Sequence, residues 1–153
     1  MRSARIFGAA TVIAGLVVAL SAGVASAAGK HPPACAALTF RPVPTGLSDG
    51  EQNAGLYKSR FGRIEVMATV KNGAAQNYFV EVNGKPPAAV TGKPPKSVET
   101  CAKIKRLGPV GNPPANCLGD KLAVLIDHTG EQRYVALYAH RGNEWHFCSI
   151  GGA

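Results

Sequence analysis

The sequence predicts an α+β fold: an antiparallel sheet of about five strands, made of a hairpin and a three-strand meander, with one short helix, stabilised by disulfides. Three observations carry this. Residues 63–70 alternate between apolar and polar ahead of a Lys71-Asn72-Gly73 turn, the period of a half-buried strand. The last third holds three apolar stretches, 121–127, 132–139 and 144–149, separated by short turn sequences. Four cysteines, Cys35, Cys101, Cys117 and Cys148, form an even set outside the N-terminal apolar run.

Taken in order, the chain opens with Arg2 and Arg5, then an uncharged run over 6–20, then Ala25-Ser26-Ala27. Small residues at these last positions fit a signal peptidase, so a secretory signal of the plain bacterial Sec pattern is expected over 1–27, cut between Ala27 and Ala28. The run is short for a bilayer span and rich in Gly and Ala, and no basic cluster follows it. No retained membrane anchor is therefore expected. Residues 28–153 then make a single small exported domain, periplasmic or extracellular.

Residues 28–55 read as irregular, with Pro32, Pro33, Pro42 and Pro44 followed by Gly46, Asp49, Gly50, Asn53 and Gly55. Residues 56–60 read as a helical turn. In the hairpin that follows, a three-residue loop ending in Gly73 would pair Val70 with Ala74, Val66 with Tyr78 and Ile64 with Val80. It would set Arg63 opposite Glu81 on the other face. Gly84-Lys85-Pro86-Pro87 recurs as Gly92-Lys93-Pro94-Pro95 and, more loosely, as Gly111-Asn112-Pro113-Pro114. Paired prolines stiffen a chain and supply no amide donors, so these read as stiff surface loops. A helix is expected over 97–106, with Ser97 as N-cap, Glu99 in its first turn and Val98, Cys101 and Ala102 on its apolar stripe.

In the meander, a two-residue turn at Gly142-Asn143 pairs Arg141 with Glu144 and sets His140 beside Trp145. One face then carries Val135, Leu137 and Cys148, the other Tyr134, Tyr138, Trp145 and Phe147. Both faces are apolar. The sheet is thus covered on both sides, or it leaves the aromatic row of Tyr134, Tyr138, Trp145 and Phe147 open as a binding surface.

The formal net charge is +8; without Arg2 and Arg5, 15 basic against 9 acidic residues leave about +6. Such a balance suits an anionic partner, but no Lys/Arg run exceeds two residues. The densest cluster, Lys103, Lys105 and Arg106, is too thin for a nucleic-acid footprint. The four cysteines imply two disulfides in an oxidising compartment. Loop closure favours Cys101–Cys117, leaving Cys35–Cys148 to tie the chain ends. Zinc-ligand spacing is missing: there is no C-x-x-C and no His suitably spaced from a Cys.

Four histidines, His31, His128, His140 and His146, invite a metal or catalytic reading. His128 and His140 end neighbouring antiparallel strands, so they lie at opposite ends of the meander, roughly 25 Å apart. His140 and His146 point to opposite faces unless a wider turn brings them together with Glu144. The chain has no phosphate loop, and its Gly-x-Ser-x-Gly string, Gly46-Leu47-Ser48-Asp49-Gly50, lies in the segment read as irregular and so makes no strand-to-helix elbow. No catalytic residue, cofactor or metal site is assigned. The expected function is a non-catalytic exported binding domain, with an exported protein or an anionic envelope polymer as partner. An inhibitor of another enzyme is one form of this. The alternative is a small hydrolase using His140 or His146.

Overall fold

The computed structural model describes residues 35–40, 43–59, 62–128 and 132–152. The expected signal over 1–27 and His31 lie outside the described residues. Eight strands and one helix follow in the order β1 (Cys35–Phe40), β2 (Gly50–Ser59), β3 (Gly62–Lys71), β4 (Ala74–Val82), β5 (Ala88–Ala89), α1 (Lys96–Ile104), β6 (Lys121–Asp127), β7 (Tyr134–Arg141) and β8 (Glu144–Gly152). They form two antiparallel sheets, β1-β6-β7-β8-β5 and β2-β3-β4.

The hairpin and the meander are where the alternation places them, but two strands replace the irregular N-terminal segment. β1 pairs with β6 from Leu122 to Asp127, and β2 pairs along β3. The helical turn expected over 56–60 is instead the end of β2, as far as Ser59. Both strands lie at sheet edges, where one row of backbone groups stays unpaired and burial is too partial to impose an apolar period. Gly55 is needed in β2 because a Cβ there would sit 2.6 Å from the Phe40 ring of β1.

The β3–β4 register also differs from the expected one. Asn72 and Gly73 both adopt positive φ, 54° and 71°, and close a two-residue turn with Lys71 opposite Ala74. A bulge after Ala75 then pairs Ala68 with Tyr78, Val66 with Val80 and Ile64 with Val82. The slip from the expected pairs is one residue at Val70 and two beyond the bulge, so Val66, Ile64, Tyr78 and Val80 keep their face. Arg63 reaches Glu65 on its own strand at 3.1 Å rather than Glu81. The β7–β8 turn forms as expected, with Arg141 opposite Glu144 and His140 opposite Trp145.

Three layers result. Ile64, Val66, Ala68, Val70, Tyr78 and Val80 of the three-stranded sheet pack on Leu122, Val124, Ile126, Val135, Leu137 and Ala139 of the five-stranded one. On the opposite face, Val98, Cys101 and Ala102 of α1 cover Ala123, Leu125, Ala136, Tyr138 and Phe147. Burial on both sides makes β6 a continuous apolar run from Leu122 to Ile126. The helix starts one residue before the expected position: Pro95 occupies the N-cap without a side-chain bond, and Ser97 lies inside. It ends as Arg106 turns to φ 57° and the Leu107 amide returns to the Ala102 carbonyl at 2.8 Å.

The disulfides are Cys35–Cys101 and Cys117–Cys148, not the pairs favoured by loop length. The five-stranded sheet supplies the reason. Cys35 and Cys101 lie in the core between this sheet and α1, whereas Cys117 and Cys148 lie in the core between the two sheets. Cys101 and Cys117 are close in sequence but on opposite faces.

Candidate functional site

The aromatic row divides. Tyr138 is 0 % exposed and meets Phe147, 8 % exposed, edge to face with ring centroids 5.6 Å apart. Both belong to the core under α1. Tyr134 is half-buried at the far end of β7, where its hydroxyl donates to Gln132 Oε1 at 3.1 Å. Trp145, also half-buried, stands at the start of β8, with the His140 ring edge-on at 5.0 Å. The four therefore form no single platform; Trp145, with the edge of Phe147, opens on a cleft.

That cleft has a volume of about 370 Å³. Trp145 and Phe147 line it from β8, with Arg141, Glu144 and His146 at the hairpin end and Pro109, Gly111, Asn112 and Pro114 along the opposite wall. A second depression, about 330 Å³, runs on between Arg106, Pro109, Asn143 and Trp145. A third, about 390 Å³, lies beside the end of α1 between Glu99, Lys103, Leu107 and Val110. Pro109 borders all three, so segment 106–114 is a ridge with hollows on either side.

The ridge is strapped to the sheets at both ends. Gly108 lies against the backbone of Trp145, where any Cβ would strike the Trp145 carbonyl oxygen. Gly119 makes the equivalent approach to the His140 backbone. Between them, Cys117 is bonded to Cys148; its amide donates to Asn77 Oδ1 at 2.7 Å, and its carbonyl accepts from the Tyr78 amide at 2.9 Å. Arg141 donates from Nε to the Leu118 carbonyl at 2.6 Å and from its guanidinium terminus to the Asn116 carbonyl at 2.9 Å. The planar fork holds the Asn116 and Leu118 carbonyls of the loop at once. Paired prolines at 113–114 stiffen the span that remains exposed.

The histidines are dispersed. His140 Nδ1 lies 2.7 Å from Asp120, and this bond holds the Asp120 carboxyl below its ordinary range. The pair has the geometry of a base and its orienting carboxylate, yet His140 borders none of the three hollows. It also joins the base of the ridge to β7, where the Asp120 amide donates to the His140 carbonyl at 3.1 Å. His146 is exposed, with Nε2 4.0 Å from Glu144. His128 follows β6 at the other end of the sheet.

Sequence reading found Trp145 and missed its opposite wall. The visible signal was the third proline pair, in Gly111-Asn112-Pro113-Pro114. The roles of Asn77, Arg141 and Gly119 depend on contacts 20 to 40 residues apart in sequence and leave no local pattern. Comparison with protein-family models, with curated proteins and with solved structures finds no match for this chain.

Proposed function

We propose that this chain is an exported, non-catalytic binding domain that takes its ligand in the Trp145 cleft. The observation that carries this is the strapped wall. A cleft whose rigid proline ridge is fixed by a disulfide, two backbone clamps and an arginine fork loses little entropy on binding. The N-terminal pattern over 1–27 and the two disulfides support export. Among the described residues no helix is long and apolar enough to cross a membrane. The partner is an exported protein or an anionic envelope polymer, the second favoured by the basic balance of the chain.

The His140–Asp120 pair favours one second reading, a small hydrolase with His140 as base. The two separate in one experiment. The chain from Ala28 is used as bait in envelope and culture-supernatant extracts, with low- and high-salt washes, alongside Trp145→Ala, His140→Ala and His146→Ala. Trp145 is the sole tryptophan, so its emission also reports binding directly. The binding reading expects capture that Trp145→Ala abolishes, with no substrate turnover for His140→Ala or His146→Ala to remove. A protein retained at high salt indicates a shape-specific interface, whereas polymer held only at low salt indicates charge. Substrate turnover lost in His140→Ala, with capture unchanged by Trp145→Ala, would overturn it.

A further inference from the structure

At the end of the sheet away from Trp145, three donor side chains from three different elements converge. Cys35 opens β1, Asp127 closes β6, and the two are directly opposite in the β1–β6 ladder. Cys101 descends on them from α1. The two sulfurs and a carboxylate oxygen of Asp127 all lie within 4.8 Å of one another, the only such group of three among the described residues. Asp127 is 1 % exposed, a rare setting for a carboxylate.

We propose that Cys35, Cys101 and Asp127 form a redox-gated site for a thiophilic divalent ion of the zinc type, closed while the disulfide is intact and opened by its reduction. Two thiolates and one carboxylate are a donor set that zinc accepts, with a fourth position left for water. In tetrahedral zinc geometry such donors stand about 3.6–3.8 Å apart, so the two sulfurs, held at bonding distance by the disulfide, must separate on reduction while the Asp127 oxygen is already within reach. The chemistry balances with a dithiol as reductant. Its two sulfurs become a disulfide as Cys35 and Cys101 become thiols, and the incoming metal ion then displaces both thiol protons to solvent. The Cys117–Cys148 pair belongs to no comparable group among the described residues, which makes it the internal control.

The test uses the whole chain, reduced by a phosphine, which takes up one water to become the phosphine oxide as the disulfide gives two thiols. Cobalt(II) is titrated in, then displaced by zinc. One cobalt per chain is expected, with a thiolate-to-cobalt charge-transfer band. Asp127→Asn should weaken it at least about tenfold, the lower end of what outer-sphere partners contribute. Cys101→Ser should abolish the band. In parallel, zinc should protect Cys35 and Cys101, and not Cys117 and Cys148, from alkylation mapped by mass spectrometry. If reduction unfolds the chain, zinc must restore its β-sheet circular dichroism, because metal binding is then linked to folding. No band, a band indifferent to Asp127→Asn, protection mapped to Cys117 and Cys148, or zinc that fails to refold an unfolded reduced chain would each overturn the proposal.

Discussion

The two faces of the five-stranded sheet are covered in different ways. One meets a second sheet, and its core is built from side chains that alternate along β3, β4, β6 and β7. The other meets a nine-residue helix, too short to cover it, so the proline ridge closes part of the remainder and the Trp145 cleft is left open. Each face has its own disulfide, Cys117–Cys148 between the sheets and Cys35–Cys101 under the helix. At the margin of the face met by the matching sheet, the hollow beside Val80, Pro87, Val135 and Gly151 is smaller, about 210 Å³. Both faces are fastened covalently, but the one covered by a short helix and a loop leaves the wider uncovered margin, at the Trp145 cleft.

The largest expected effects come from removing the disulfides one at a time by paired Cys→Ala substitution. Loop closure over separations of 66 and 31 residues gives roughly 4.3 kcal/mol for Cys35–Cys101 and roughly 3.7 kcal/mol for Cys117–Cys148. These are large fractions of a small domain's stability of about 5–15 kcal/mol. Since the magnitudes are close, location is the sharper measure. Hydrogen exchange in the Cys35/Cys101 variant should accelerate in α1. In the Cys117/Cys148 variant it should accelerate over 108–120, and Trp145 emission should shift. The same exchange pattern in both variants would mean that the two faces are not separately fastened.

Next in size are truncations within each core. Leu137 is fully buried between the sheets, and Leu137→Ala should cost about 2–5 kcal/mol by urea denaturation. Val98, the most buried side chain of α1 along with Cys101 and Ala102, loses two methyl groups in Val98→Ala, about 2 kcal/mol. The helix can settle onto a small void more readily than a sheet locked in two ladders. A larger cost at Val98 than at Leu137 would reverse the assignment of the stiff face.

This contrast also explains what was legible in the sequence. Period-two alternation marks β3 because a strand with one face in a core must show it, β6 and β7 read as apolar runs because both their faces are buried, and the Gly142-Asn143 turn fixes the β7–β8 register. β1 and β2 carried no such mark, since edge strands are only partly buried. Half of the slip in the β3–β4 pairing came from the two-residue Asn72-Gly73 turn, and the other half from a bulge after Ala75, which no local signal announces. The disulfide pairing required knowing the face on which each cysteine lies. Loop length alone is blind to this, because Cys101 and Cys117 are separated by the thickness of the sheet. At the candidate site, Trp145 could be picked from its strand, but the wall opposite is assembled from Gly108, Cys117 and Arg141 by tertiary contacts.

The smallest expected effect probes the helix face at its centre. The Tyr138 hydroxyl is buried with no hydrogen-bond partner among the described residues. A polar group in that position is a net cost, so Tyr138→Phe, which keeps the ring and its edge contact with Phe147, should stabilise the domain by about 1 kcal/mol. Burial also pushes the Tyr138 phenol well above its ordinary range, and that of Tyr78 upward as well. The sign follows from linkage: a phenol raised in the folded state gives up its proton first in the unfolded chain. The wild type therefore keeps its full stability below about pH 10 and loses it as pH rises beyond that toward the folded-state values. Tyr138→Phe should flatten that alkaline loss and leave only the part owed to Tyr78. Urea midpoints measured from pH 8 to 11 for both proteins check the offset and the slope together. A destabilised Tyr138→Phe, with the alkaline limb unchanged, would mean that the hydroxyl is satisfied, and that the helix covers its face as completely as the second sheet covers the other.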